Sequence, residues 1–120
     1  QREPLAAVAL SVNTSSLTAV GNDFGCDEVF EKQMKGLARR GDVALGISTS
    51  GSSENVIRAM RAAKAAGGVT IGFTGAKGGP LADAVDHCLK IPSTDTPRIQ
   101  EGHITAGHII CEIVEQELFS

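Results

Sequence analysis

No stripe of positive charge runs through these 120 residues: the eleven basic side chains are scattered, apart from the pair Arg39-Arg40, and the net charge is −3. Nucleic acid is therefore not an expected partner. No apolar segment approaches the roughly 20 residues that a membrane span requires, and no charged-then-apolar leader opens the chain. The expectation is a cytoplasmic chain with no membrane partner. Cysteine is scarce as well: Cys26, Cys88 and Cys111 are odd in number and lack C-x-x-C spacing, which argues against a disulfide framework or a thiolate zinc site. They read as reduced and mostly packed. Internal repeats, linkers and low-complexity segments are also absent, so the whole of 1–120 reads as one domain.

What is present is ordinary globular composition, 42% hydrophobic and 21% charged, arranged in alternating elements. Ala6 to Ser11 reads as a buried strand. Asn13 is placed to cap a short helix through Ala19 that stops at Gly21, and VGNDFG follows as a loop. Asp27 to Leu37 carries Val29, Phe30, Met34 and Leu37 at helical spacing, and Val43 to Ile47 is an apolar run of strand length. Ser53 to Ala66 is helical by spacing and Gly67-Gly68 stops it. Val69 to Phe73 is a second β-branched run. A short helix around Leu81 to Val85 leads to a strand at Cys88 to Ile91, which Pro92 breaks. From Pro97 to Phe119 the apolar positions fall at threes and fours, with Pro97 suited to a first turn. Nearly continuous apolar strands between helices indicate a parallel sheet in a three-layer α/β/α sandwich, whose ligands sit beyond the carboxyl ends of the strands.

That rule directs attention to GISTSGSSEN, Gly46 to Asn55, which packs five hydroxyls into the six residues Ser48 to Ser53. A single serine is enough to cap the following helix. Helix-start N–H groups, the positive dipole end and short hydroxyl donors together suit an anion, with phosphate the natural occupant. No Lys stands in a G-x-x-x-x-G-K-S arrangement, which excludes the usual nucleotide P-loop. A sugar phosphate fits better than ATP.

A strand leading into STSGSS, preceded by VGNDFG and followed by FTGAKGG and TPRIQEGHITAGH, resembles the sugar isomerase (SIS) domain superfamily. Within it the match is to the phosphoheptose isomerases, which act on sedoheptulose 7-phosphate. The resemblance runs the length of the chain, and the combination of GNDFG with RIQEGH and a second His five residues later is more specific than the serine turn alone. It implies that Ser48, Thr49, Ser50 and Ser53 hold the substrate's phosphate and that Asn22 and Asp23 touch the sugar. Taken alone, Asn22-Asp23 between glycines reads as a turn. The resemblance further implies that Gln100 contacts substrate, that His108 is the general acid, and that both ligate zinc, one ion per subunit, in zinc-containing members. Without it, His108 reads as a core histidine on a mostly apolar helix. His103 is a candidate for orienting a neighbour or for simple burial, and His87 reads as surface.

Eight residues of helix separate Gln100 and His108 by on the order of 12 Å along the axis and about 80° around it, so a metal needs further ligands. The family supplies a His and a Glu from an H-x-x-x-E helix, which these residues do not contain. Nor do they contain the family's N-terminal helices or its first strand with the GNGGS turn. Gln1 opens the chain in place of Met, so the sequence is expected to be the C-terminal two-thirds of a single-domain protein. Pro97 stands where some members carry Asp.

The implied reaction converts D-sedoheptulose 7-phosphate to D-glycero-D-manno-heptose 7-phosphate through an enediol, for the heptose of surface polysaccharide. Its base would be the absent Glu and its acid His108, since an imidazole carries either proton state near neutrality. Homotetramers are implied too. The alternative is a non-catalytic SIS module that binds a sugar phosphate or a protein partner such as DnaA. Relatives of that kind lack the His at the acid position.

Overall fold

The computed structural model describes residues 2–120. Helix α1, Thr14–Phe24, is capped by Asn13, whose side-chain oxygen accepts the Ser16 N–H at 3.0 Å. The helix passes through its expected stop at Gly21 and ends at Gly25, where φ is 99°. A single interior glycine costs a helix only about 1 kcal/mol, and the Gly25 N–H still closes on the Gly21 carbonyl at 3.1 Å. VGNDFG is therefore helical up to Phe24, which corrects the loop expected there.

A 3-10 turn, Cys26–Glu28, leads into α2, Val29–Leu37. The remaining elements follow the expected alternation: β1 (Val43–Ile47), α3 (Glu54–Ala65), β2 (Val69–Thr74), α4 (Gly79–Ala84), β3 (His87–Lys90) and α5 (Thr96–Phe119), with Pro97 in its first turn. The strands pair in parallel in the order β1-β2-β3, with Val43 beside Val69, Ile47 beside Phe73 and Phe73 beside Leu89. His87 lies in β3 and is exposed, as its surface reading requires.

Because side chains alternate along a strand, Ala44, Gly46 and Gly72 share one face while Leu45, Ile47 and Phe73 share the other. The first face carries the core: Ile57, Ala59, Met60 and Ala63 of α3 pack on it together with Leu81 and Val85. Each large side chain sealed there contributes about 2 kcal/mol of transfer free energy. Gly46 makes the close approach possible, since a Cβ at that position would stand 2.8 Å from Val56 Cγ1 and 3.0 Å from Met60 Sδ. On the second face the start of α5 packs on Phe73 through His103, with Ile99 of the same turns also buried, giving the third layer. The rest of that face is open, with Val43 65% and Ile47 52% exposed.

Two further expectations are corrected. Ala6 to Ser11 is not a strand: residues 2–9 have no regular structure, and Leu5 and Val8 are exposed. A strand persists only where a neighbour satisfies its backbone groups, and among the described residues β1 and β2 pair with partners other than this segment. The cysteines are less packed than expected, since Cys26 and Cys111 are exposed and only Cys88 is partly buried, against the core. Among the described residues no helix is long and apolar enough to cross a membrane.

Candidate functional site

The carboxyl ends of the three strands release three loops that are stitched to one another by backbone hydrogen bonds. Ser48 N–H donates to Phe73 O, Gly75 N–H to Thr49 O, Ile91 N–H to Thr74 O and Ala76 N–H to Ser93 O, all at 3.0 Å. Between these loops and the start of α5 lies a cavity of about 310 Å³. Hydroxyls dominate its wall: Thr49, Ser50, Ser52, Ser93, Thr94 and Thr96.

The serine turn is ordered from within. Ser48 is buried, and its Oγ accepts the Gly51 N–H at 3.1 Å while meeting Ser53 Oγ at 2.8 Å and Ser50 Oγ at 3.4 Å. Ser50 Oγ in turn accepts the Ser52 N–H at 3.2 Å. Ser53 occupies the N-cap position of α3 yet makes no side-chain cap, because its hydroxyl is engaged with Ser48. The turn therefore does more than start a helix. Among the described residues the N–H groups of Thr49, Ser50 and Ser53 meet no acceptor, and they lie at the positive end of the α3 dipole.

A second loop holds the turn from behind. Gly51 has φ 70°, and a Cβ there would fall 1.9 Å from the Gly78 carbonyl oxygen. Gly78 and Gly79 are also left-handed, at 72° and 62°, and the Leu81 N–H donates to Gly51 O at 2.9 Å. Backbone packs on backbone, which only glycine permits.

Of the residues that sequence singled out, the structure brings Ser48, Thr49, Ser50 and Ser53 together. Gln100 is exposed on the first turns of α5, next to Ile99, which lines the cavity. His108 is exposed two turns further along. Asn22 and Asp23 lie on α1, exposed and hydrogen-bonded to each other at 2.9 Å, and neither lines the cavity. His103 is the buried histidine: its Nε2–H donates to Thr74 O at 2.9 Å, its ring packs 5.6 Å from that of Phe73, and its Nδ1 has no partner among the described residues. It fastens α5 to the end of β2. Among the described residues no three His, Cys, Asp or Glu side chains cluster as a metal site. Sequence reading missed Lys77, Ser93, Thr94 and Thr96, which also line the cavity. FTGAKGG looked like turn punctuation, and scattered hydroxyls carry no spacing signal.

Residues 6–108 match the SIS domain. The chain belongs to the SIS domain family. Among curated SIS relatives, the phosphoheptose isomerase of Roseiflexus sp. is 56% identical over 119 residues, which are 99% of this chain and 60% of that protein. The Nitratiruptor sp. phosphoheptose isomerase is 54% identical over 97% of this chain and 62% of its own. The solved structure of phosphoheptose isomerase GmhA from Neisseria gonorrhoeae superposes with a TM-score of 0.90 at 48% identity, covering 92% of this chain and 62% of that one. A Francisella tularensis phosphoheptose isomerase gives 0.93 at 38% identity, over 96% of this chain and 62% of its own. This SIS chain thus spans about three-fifths of the length of the relatives it matches.

Proposed function

We propose that these 120 residues are the C-terminal two-thirds of a single SIS domain that isomerises D-sedoheptulose 7-phosphate to D-glycero-D-manno-heptose 7-phosphate. The observation that carries this reading is the serine turn: buried Ser48 organises Thr49, Ser50 and Ser53 around unpaired N–H groups at the start of α3, beside a hydroxyl-lined cavity. Phosphate is the ligand that such a turn suits. High identity to phosphoheptose isomerases supports the particular sugar.

In an aldose-ketose exchange a base takes a proton from the carbon next to the carbonyl. An enediol forms, and a proton returns to the neighbouring carbon. His108 is the proton donor in this reading. Among the described residues no carboxylate lines the cavity, and the base is assigned to the part of the relatives' length that this chain does not span. The phosphate anchor holds the reacting carbons in register, which lowers the barrier by several kcal/mol at about the effective concentrations of oriented reactants. Asn22, Asp23 and Gln100 are proposed sugar contacts reached when the remainder of the site is in place. A zinc ion would draw on Gln100 and His108, but two exposed side chains about 12 Å apart along a helix need further ligands to form a site.

The exposed apolar residues of α5, including Ile104, Ile109 and Ile113, support assembly, for which a homotetramer is proposed. A cytoplasmic enzyme supplying heptose to surface polysaccharide completes the reading. Incubating a protein that carries these residues within the full length of their relatives, base included, with sedoheptulose 7-phosphate in D₂O and following proton NMR tests it. Appearance of the aldose with deuterium next to its carbonyl is expected; phosphate binding without exchange would favour a binding module.

A further inference from the structure

We propose that Lys77 is the counter-charge of the phosphate site and makes it selective for a dianionic phosphate monoester. The inference rests on the sugar-phosphate reading above. Among the described residues that line the cavity, Lys77 alone carries a charge, and it shares that wall with Thr49, Ser50 and Ser52 of the serine turn. Its backbone is fixed. Ala76 and Lys77 form the centre of a turn closed by the Gly78 N–H on Gly75 O at 3.1 Å, and the Gly79 N–H donates to Lys77 O at 2.8 Å. The two glycines that follow are the ones packed against Gly51, so the loop carrying Lys77 and the loop carrying the hydroxyls form one braced unit. Its side chain is uncommitted: among the described residues Lys77 makes no ion pair, whereas Lys32, Lys35 and Lys64 each hold a carboxylate.

Hydroxyl and amide donors bind an anion of either charge, but they do not neutralise it. An ammonium group at the cavity wall adds a charge-assisted bond that grows with ligand charge. A phosphate monoester passes from mono- to dianion near pH ~6, so the contribution of Lys77 should increase through that range. Exposure at the loop also makes it sensitive to salt.

Titration calorimetry of the purified protein with sedoheptulose 7-phosphate, inorganic phosphate and unphosphorylated sedoheptulose tests the assignment. Lys77→Ala is expected to weaken both phosphate ligands by roughly tenfold, to reduce the salt dependence of binding, and to remove the strengthening as the ligand becomes a dianion. Lys77→Arg should retain most of the affinity. Arg61→Gln, which removes an exposed positive charge from the α3 surface away from the cavity, should change nothing. Sedoheptulose should bind wild type and Lys77→Ala alike. If Lys77→Ala binds phosphate as wild type does while Ser50→Ala does not, the phosphate site stands and the role of Lys77 is overturned. If wild type binds neither phosphate ligand, the sugar-phosphate reading fails and takes the inference with it.

Discussion

Ser48 and Ser53 meet hydroxyl to hydroxyl at 2.8 Å, across the turn that joins β1 to α3. The contact diverts Ser53 from capping the helix and spends it on the geometry of the turn. Ser53→Ala should therefore cost little helix stability, well under the about 1 kcal/mol of an ordinary cap. Sugar-phosphate affinity should fall by roughly tenfold, the loss of one charge-assisted bond. Thermal melts alongside phosphate titrations separate the two; a large drop in melting temperature with affinity unchanged would return Ser53 to a capping role.

The second prediction concerns the glycine brace. Gly51→Ala places a methyl 1.9 Å from Gly78 O at φ 70°, so the turn must move or the domain loses stability. A loss of about 3 kcal/mol or more is expected from the left-handed penalty together with the clash. Gly36→Ala is the contrast, because nothing lies within 4 Å of its added methyl and its φ is not left-handed. It should stabilise by about 0.5–1 kcal/mol. Urea denaturation of both variants checks the pair, and equal effects would mean that the brace is not what holds the turn.

These cases also show what sequence made legible. The elements from Val43 to Lys90 follow spacing and punctuation because their partners lie within the chain, and α5 follows its spacing although only its first turns are buried here. Ala6 to Ser11 does not, since a strand is a pairing property and periodicity says nothing about the neighbour. Gly21 misled for a related reason: a helix tolerates one glycine, and the left-handed stop lay four residues on at Gly25. The serine turn was legible because clustered hydroxyls at a strand end have a chemical meaning. Lys77 was not, since its place on the cavity wall depends on the stitching of three loops.

Asp86 provides a pH test far from the chemistry. The Thr70 N–H, then Lys64 and the Thr70 hydroxyl, hold its carboxyl down from the ordinary 3.8 to about 2. With the folded value below the unfolded one, its stabilisation is fully present above about pH 4 and is lost as pH falls towards about 2. Asp86→Asn should flatten that part of the acid unfolding curve. An unchanged curve between those limits would contradict the latch.

His103 and His108 should separate cleanly. His103→Phe removes one of the two donors to the Thr74 carbonyl and leaves the Ile91 N–H in place, so it should destabilise the fold by only about 0.5–1.5 kcal/mol. His108→Ala, at an exposed position, should leave stability and phosphate binding intact while abolishing turnover. A His108→Ala enzyme with wild-type rate would remove that residue from the mechanism.

The most direct measurement is an amide NMR titration with sedoheptulose 7-phosphate. Saturable shifts at Thr49, Ser50, Ser53 and Glu54, with those of residues 2–9 unmoved, are predicted by a phosphate seated on the serine turn. Shifts concentrated elsewhere, with these amides unchanged at saturation, would contradict it.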